Sequence, residues 1–139
     1  MPQGYRFIDH TADFGVEIWG RDAVQLFEQA AIALIDLLVT AADVPADRTD
    51  TVEIQGQDWP DLMVNWLREL LYLHTGMERV VTAVRIEELS ATCLQAKVDS
   101  LRFEIGVHRL NHEIKAVTYH QIAVGPGENG WQARVIFDA

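Results

Sequence analysis

The chain has 139 residues, the length of one domain, expected to span 1–139 and to bury roughly two-thirds of its unfolded surface. Apolar residues make up 49% and charged residues 23%, the balance of a folded globular chain. A net charge of −10 argues against a surface that grips nucleic acid, because phosphate binding is driven by Lys and Arg, and a single cysteine, Cys93, excludes an internal disulfide and a Cys-based zinc cluster.

The start, Met1-Pro2-Gln3-Gly4-Tyr5-Arg6, lacks the form of a signal peptide, since Asp9 arrives before any apolar segment. No apolar run reaches the roughly 18 residues of a transmembrane helix. A cytoplasmic protein is therefore expected.

Tyr5 to Asp9 reads as a short strand, with Tyr5, Phe7 and Asp9 on one face and Arg6, Ile8 and His10 on the other. Thr11-Ala12-Asp13 interrupts it with residues that favour turns. Gly15 signals close packing or an unusual backbone angle. Val16 to Gly20 is a second strand. Asp22 opens a helix, with Gln25 three residues on as its capping-box partner. Leu26, Phe27, Ala30, Ala31, Leu34, Leu37 and Leu38 form that helix's apolar stripe. Thr40 to Asp50 has no period and reads as a surface loop, its Asp43, Asp47, Arg48 and Asp50 solvated.

Thr51 to Gln55 is a strand with Val52 and Ile54 inward. Asp58 and Pro60 start a second helix. Leu62, Met63, Trp66, Leu67, Leu70, Leu71 and Leu73 form its core face, Gly76 is its C-cap, and His74 suits the last turn if protonated. From Val80 onward the pattern is almost all strand: Val80 to Ile86, Cys93 to Val98, Leu101 to Val107, Ile114 to Val124 and Trp131 to Asp138. Gly125 to Gly130 is a turn cluster. Its GxGxxG spacing links two strands rather than strand to helix, so it is no nucleotide fingerprint. There is no internal repeat. Two helices among about eight strands, not in βα alternation, give an α+β fold with largely antiparallel sheets.

Asp9, His10 and Asp13 are the sharpest polar cluster. They suit a metal site, an acid/base pair or the capping of a turn, and for an isolated motif the structural reading comes first. Asp138 alters the balance. Alternation along the last strand puts it on the face opposite Trp131 and Phe137, beside Ala139 and the terminal carboxylate. Oxygen ligands from Asp13, Asp138 and Ala139 suit calcium or magnesium, and manganese also. His108 and His112 have a His-x-x-x-His spacing, but in a loop entering a strand it is a weak metal signal. Lys115 stands in the following strand, either solvent-facing or on a functional surface.

Several blocks together resemble the archease family. They are Asp9-His10-Thr11-Ala12-Asp13-Phe14-Gly15, Trp19-Gly20, Leu26-Phe27-Glu28-Gln29-Ala30-Ala31, Leu67-Arg68-Glu69-Leu70-Leu71-Tyr72, Glu113 to His120 and Val135-Ile136-Phe137-Asp138. They run in the family's order and cover essentially the whole chain. The resemblance implies a non-catalytic protein cofactor of the GTP-dependent RtcB-type RNA ligase of tRNA splicing and RNA repair. It would promote guanylylation of the ligase histidine and sustain multiple turnover, touching RNA only through the ligase. It also implies a divalent cation, calcium above magnesium or manganese, with Asp13 and Asp138 as carboxylate ligands and Ala139 adjacent. Asp9, His10 and Lys115 are the accompanying surface residues. Asp99-Ser100-Leu101 departs from the family's usual Gly-Glu turn. Two other classes stay open: a general chaperone or interaction module, and a stand-alone metal-dependent hydrolase.

Overall fold

The structure is a computed structural model that describes residues 3–9, 13–40 and 44–139, with Asp9 described through its backbone alone. The elements run β1 (Gly4–Asp9), β2 (Asp13–Gly20), α1 (Ala23–Leu38), β3 (Val39–Thr40), β4 (Arg48–Gln55), α2 (Trp59–Thr75), β5 (Arg79–Leu89), β6 (Cys93–Arg102), β7 (Arg109–Leu110), β8 (Ala116–Val117), β9 (Ala123–Gly127) and β10 (Gly130–Asp138). The sequence thus folds as the expected α+β protein.

Both helices begin where Asp supplies a cap. The Asp22 carboxylate accepts the Gln25 amide at 2.8 Å, and the Asp58 carboxylate accepts the Asp61 amide at 3.0 Å, each satisfying a first-turn donor. The Gln25 side chain reaches back to the Arg21 amide at 2.8 Å, one residue before the partner of a standard capping box.

The two strand-to-helix turns share a Gly-x-Asp pattern, Gly20-Arg21-Asp22 and Gly56-Gln57-Asp58. A Cβ at Gly20 would stand 2.6 Å from the Leu26 nitrogen, and one at Gly56 would stand 2.6 Å from the Leu62 nitrogen. Each glycine lets the preceding strand pass against its helix's first turn.

The predicted apolar stripes of both helices are buried. They meet at Trp66, whose indole N–H donates to the Phe27 carbonyl at 3.0 Å. α1 lies against β2 and β5, and α2 against β5, β9 and β4.

One sheet runs β1-β2-β10-β8, with β9 also paired to β10. A three-stranded sheet runs β4-β6-β5, and β3 pairs β7. Every named strand pair is antiparallel. One core cluster joins the inner faces of both larger sheets to the two helices.

Three stretches differ from the sequence reading. Ile114 to Val124 is not one strand. Only Ala116–Val117 pairs, a turn follows at His120 and Gln121, and β9 begins at Ala123. Gln121 has φ +54°, and Thr118 turns its hydroxyl onto the Ile136 carbonyl at 2.9 Å. Nor is Leu101 to Val107 a strand of its own. Leu101 and Arg102 close β6, and the chain then turns so that the Val107 and His108 amides both donate to the Glu104 carbonyl.

The supposed loop from Thr40 to Asp50 ends at Arg48, where β4 starts. Its charges are engaged: Arg79 pairs with Asp47, and Arg48 lies 2.8 Å from Asp50. The Arg79 guanidinium and the Arg102 amide hold the Asp47 carboxyl below its ordinary value. Residue Asp43 lies outside the described residues.

Candidate functional site

The site is built where β2, β10 and β8 finish side by side. Register pairs Phe137 with Phe14 and Val117, and the next step pairs Asp138 with Asp13 and Ala116. Paired residues share a face and faces alternate along a strand. Phe137 and Val117 are buried in the core, so Asp13, Asp138 and Ala116 form a row on the outer face. Two acidic residues far apart in sequence are thus direct register partners across one ladder.

The rows behind it fix this edge. Gly15 stands between Ile8 and Ile136. A Cβ there would lie 3.2 Å from Ile136 Cδ1 and 3.4 Å from Ile8 Cβ, so the missing side chain lets the two isoleucines close over the sheet. Next come Arg6, Glu17 and Arg134, with Glu17 Oε1 2.9 Å from Arg6 Nη2 and 3.9 Å from Arg134 Nη2.

Lys115 lies just before β8. Its amide donates to the Asp138 carbonyl at 2.7 Å, and its side chain is exposed. The structure therefore brings Asp13, Asp138, Ala139 and Lys115 to one sheet end. Asp9 reaches that end through its backbone pairing with Phe14. His10 lies outside the described residues.

The two histidines of the His-x-x-x-His spacing have separate surroundings. His108 is buried and stacks on Phe103, and its Nδ1 accepts the Glu104 amide at 3.0 Å. The His112 ring packs on Phe14 with centroids 4.6 Å apart. It borders an open groove of about 530 Å³ between β1, the end of α1 and β7, walled by Phe7, Ile8, Phe14, Leu37 and Leu110.

Arg68 and Tyr119 stand in the sequence only within the resemblance blocks, with no role assigned to them, since no periodic signal marks their contact. Arg68 of α2 donates through Nε and Nη2 to the Val117 carbonyl at 3.3 and 3.2 Å. Its guanidinium also lies 4.9 Å from the centroid of the Tyr119 ring. The Tyr119 hydroxyl donates to Asp61 Oδ1 at 2.6 Å. That bond, with one from the Gln57 amide, holds the Asp61 carboxyl below its ordinary value, and the same bond pushes the Tyr119 phenol up.

The donor set at the sheet end is made of hard oxygens, which fits a calcium-like cation and not zinc. Among the described residues, no three His, Cys, Asp or Glu side chains are grouped to hold a metal.

Fold and site together define an α+β protein that carries an opposed acidic pair at the end of its larger sheet. The chain belongs to the archease family: residues 5–139 match the model of the Archease protein family (MTH1598/TM1083). It is 35% identical over 136 residues to protein archease of Archaeoglobus fulgidus, covering 96% of this chain and 98% of that one. It is 30% identical over 138 residues to protein archease of Methanosarcina barkeri, covering 96% and 94%.

The solution structure of Methanobacterium thermoautotrophicum protein 1598 superposes with a TM-score of 0.80 at 32% identity, covering 98% of this chain and 99% of that one. A Thermotoga maritima protein described as an archease, possible chaperone, shares the fold, with a TM-score of 0.67 at 22% identity over 95% and 94% of the two chains. Among the described residues no helix is long and apolar enough to cross a membrane.

Proposed function

We propose that this protein is a non-catalytic activator of a GTP-dependent, RtcB-type RNA ligase in tRNA splicing and RNA repair. It acts through a divalent cation, calcium in first place, held by Asp13 and Asp138 with oxygens of Ala139 beside them. The observation that carries the site is the direct register pairing of Asp13 with Asp138. Like charges opposed on one sheet face repel, and a cation between them turns that repulsion into attraction.

The ligase partner is what the resemblance of the sequence blocks implies, and membership of the family supports that reading. Charge supports it: a chain of net charge −10 is complementary to the basic face a ligase uses for RNA. At such an interface a bound cation supplies neutralisation of phosphate charge. Asp13 and Asp138 would place it, and Lys115 presents a second positive group on the same edge. The proposed outcome is faster guanylylation of the ligase histidine, so that turnover continues.

The test is RNA ligation with cognate ligase limiting and RNA in excess. Wild type should convert a single-turnover reaction into sustained turnover, and Asp13→Ala and Asp138→Ala should not, while circular dichroism shows both variants folded. Equal activation by the variants would refute the site. No activation by wild type, with assistance to unrelated unfolding clients instead, would favour the chaperone reading.

A further inference from the structure

We infer that Arg68 is a positioning residue for this site: its guanidinium, braced by Tyr119 and Asp61, holds the Lys115–Val117 segment against Asp138. The cation-dependent part of this inference rests on the metal reading proposed above.

β8 has two residues, Ala116 and Val117. A strand that short does not hold its own register. One side of it is fixed by β10, through the Lys115 amide on the Asp138 carbonyl at 2.7 Å and the Thr118 amide on the Ile136 carbonyl at 3.1 Å. The other anchor comes from α2, through the two Arg68 bonds to the Val117 carbonyl. A guanidinium suits this role because its planar fork is pre-organised and stays charged.

Arg68 is itself steadied. It contacts the Tyr119 ring, a cation–π arrangement, and Tyr119 is tied to Asp61 at 2.6 Å. Asp61 and Arg68 are seven residues apart, two turns along one face of α2. Asp61 Oδ2 also accepts the Gln57 amide at 2.8 Å, which fixes the brace to the start of the helix. The backbone of α2 is immobilised by its buried face, with Leu67 fully buried and Leu70 at 1% exposure.

The segment from Lys115 to Tyr119 is thus tied at two points, Val117 and Tyr119, to polar side chains of a helix whose opposite face is buried in the core. Just before the first of those points, Lys115 and Ala116 present the backbone that pairs with Asp138. Arg68 and Tyr119 are both exposed, so their bonds add little to global stability. Their effect is local.

The experiment uses the full chain with Arg68→Gln, Arg68→Lys and Tyr119→Phe. Three quantities are read: amide hydrogen exchange of Lys115 by NMR, calcium binding by calorimetry, and ligase activation. Losing charged hydrogen bonds should speed Lys115 exchange in Arg68→Gln by about tenfold or more. It should raise the calcium concentration for half-saturation by a similar factor, with exchange in β6 unchanged. Arg68→Lys should recover part of both effects, and Tyr119→Phe should show a smaller loss of the same kind.

Lys115 exchange in Arg68→Gln equal to wild type overturns the inference, whatever calcium does. Faster exchange in Arg68→Gln, in a protein whose wild type binds no calcium, would uphold the positioning role and refute the metal reading. Normal calcium binding by wild type and Arg68→Gln alike, with unchanged exchange, would do the reverse. Faster exchange throughout β6 would also overturn it, because Arg68 would then be a general stabiliser.

Discussion

Asp13 and Asp138 stand directly opposite each other across the β2–β10 ladder. With the cation proposed above held between them, stability should depend on that cation. A ligand that binds only the folded state adds about 2.7 kcal/mol at a hundredfold excess over its dissociation constant. For a chain of this size that lifts the unfolding midpoint by on the order of 10 °C. Asp138→Asn removes one of the opposed charges. Without metal it should be as stable as wild type or more so, by about 0.2–1 kcal/mol, and it should lose the calcium increment. Thermal unfolding in calcium and in chelator checks both. An Asp138→Asn protein that gains as much from calcium as wild type would rule out this pair as the binding site.

Part of this arrangement was legible in the sequence. Alternation along the last strand put Asp138 on the face opposite Trp131 and Phe137, and the caps at Asp22 and Asp58 marked both helix starts. The pairing of Asp138 with Asp13 was not legible from pattern, because register between chain ends is set by the whole core. The family resemblance supplied it instead. The break in Ile114 to Val124 was hidden for a different reason. β-branched and aromatic residues read as strand, and nothing in Thr118 announces that its hydroxyl will bond the Ile136 carbonyl and help turn the chain. Arg68 stood in one of the blocks that carry the family resemblance, but its role went unassigned because an exposed helical arginine leaves no periodic trace.

The Gly-x-Asp turns offer a test of the fold. Gly20→Ala and Gly56→Ala each force a methyl to within 2.6 Å of backbone nitrogen, which no rotamer relieves. Each should cost about 1–3 kcal/mol, the scale of overpacking. Gly125→Ala is the control, since a Cβ there meets nothing within 4 Å and the change should stay within about 0.5 kcal/mol. Urea midpoints at constant slope would measure all three. Equal stability of Gly20→Ala and Gly125→Ala would mean the close approach is absent in solution.

His74 corrects an expectation about the helix end. A protonated histidine there would favour the dipole. Burial instead pushes the imidazole below its ordinary value, with a backbone hydrogen bond to Arg79 partly opposing. The unfolded chain therefore takes up the proton first. Stability should fall as pH drops from about 6.5 to the lower folded value, and then level off for this group. His74→Gln should flatten that slope relative to wild type below about pH 6.5. A slope unchanged by the substitution would show that another group is responsible.

The Asp61–Tyr119 bond has its own pH window. Asp61 has a lowered folded pKa, so its contribution is present above the ordinary carboxylate range and is lost as pH falls through the lowered value. Tyr119 has a raised folded pKa, so its contribution is complete below about 10 and is lost as pH rises through the raised value. Between those limits the brace on Arg68 is intact, and the effect of Tyr119→Phe should not vary from about pH 5 to 9. Carbon-13 NMR of the tyrosine ring resolves Tyr119 from Tyr5, whose phenol, partly buried and bonded to Asp36, is pushed up to about 12. Asp61→Asn should bring the Tyr119 titration back toward its ordinary value and leave Tyr5 unmoved. If Tyr119 titrates identically in Asp61→Asn and wild type, the hydroxyl does not bond Asp61 in solution. Arg68 would then hold Val117 without a brace, and Tyr119→Phe would leave Lys115 exchange unchanged.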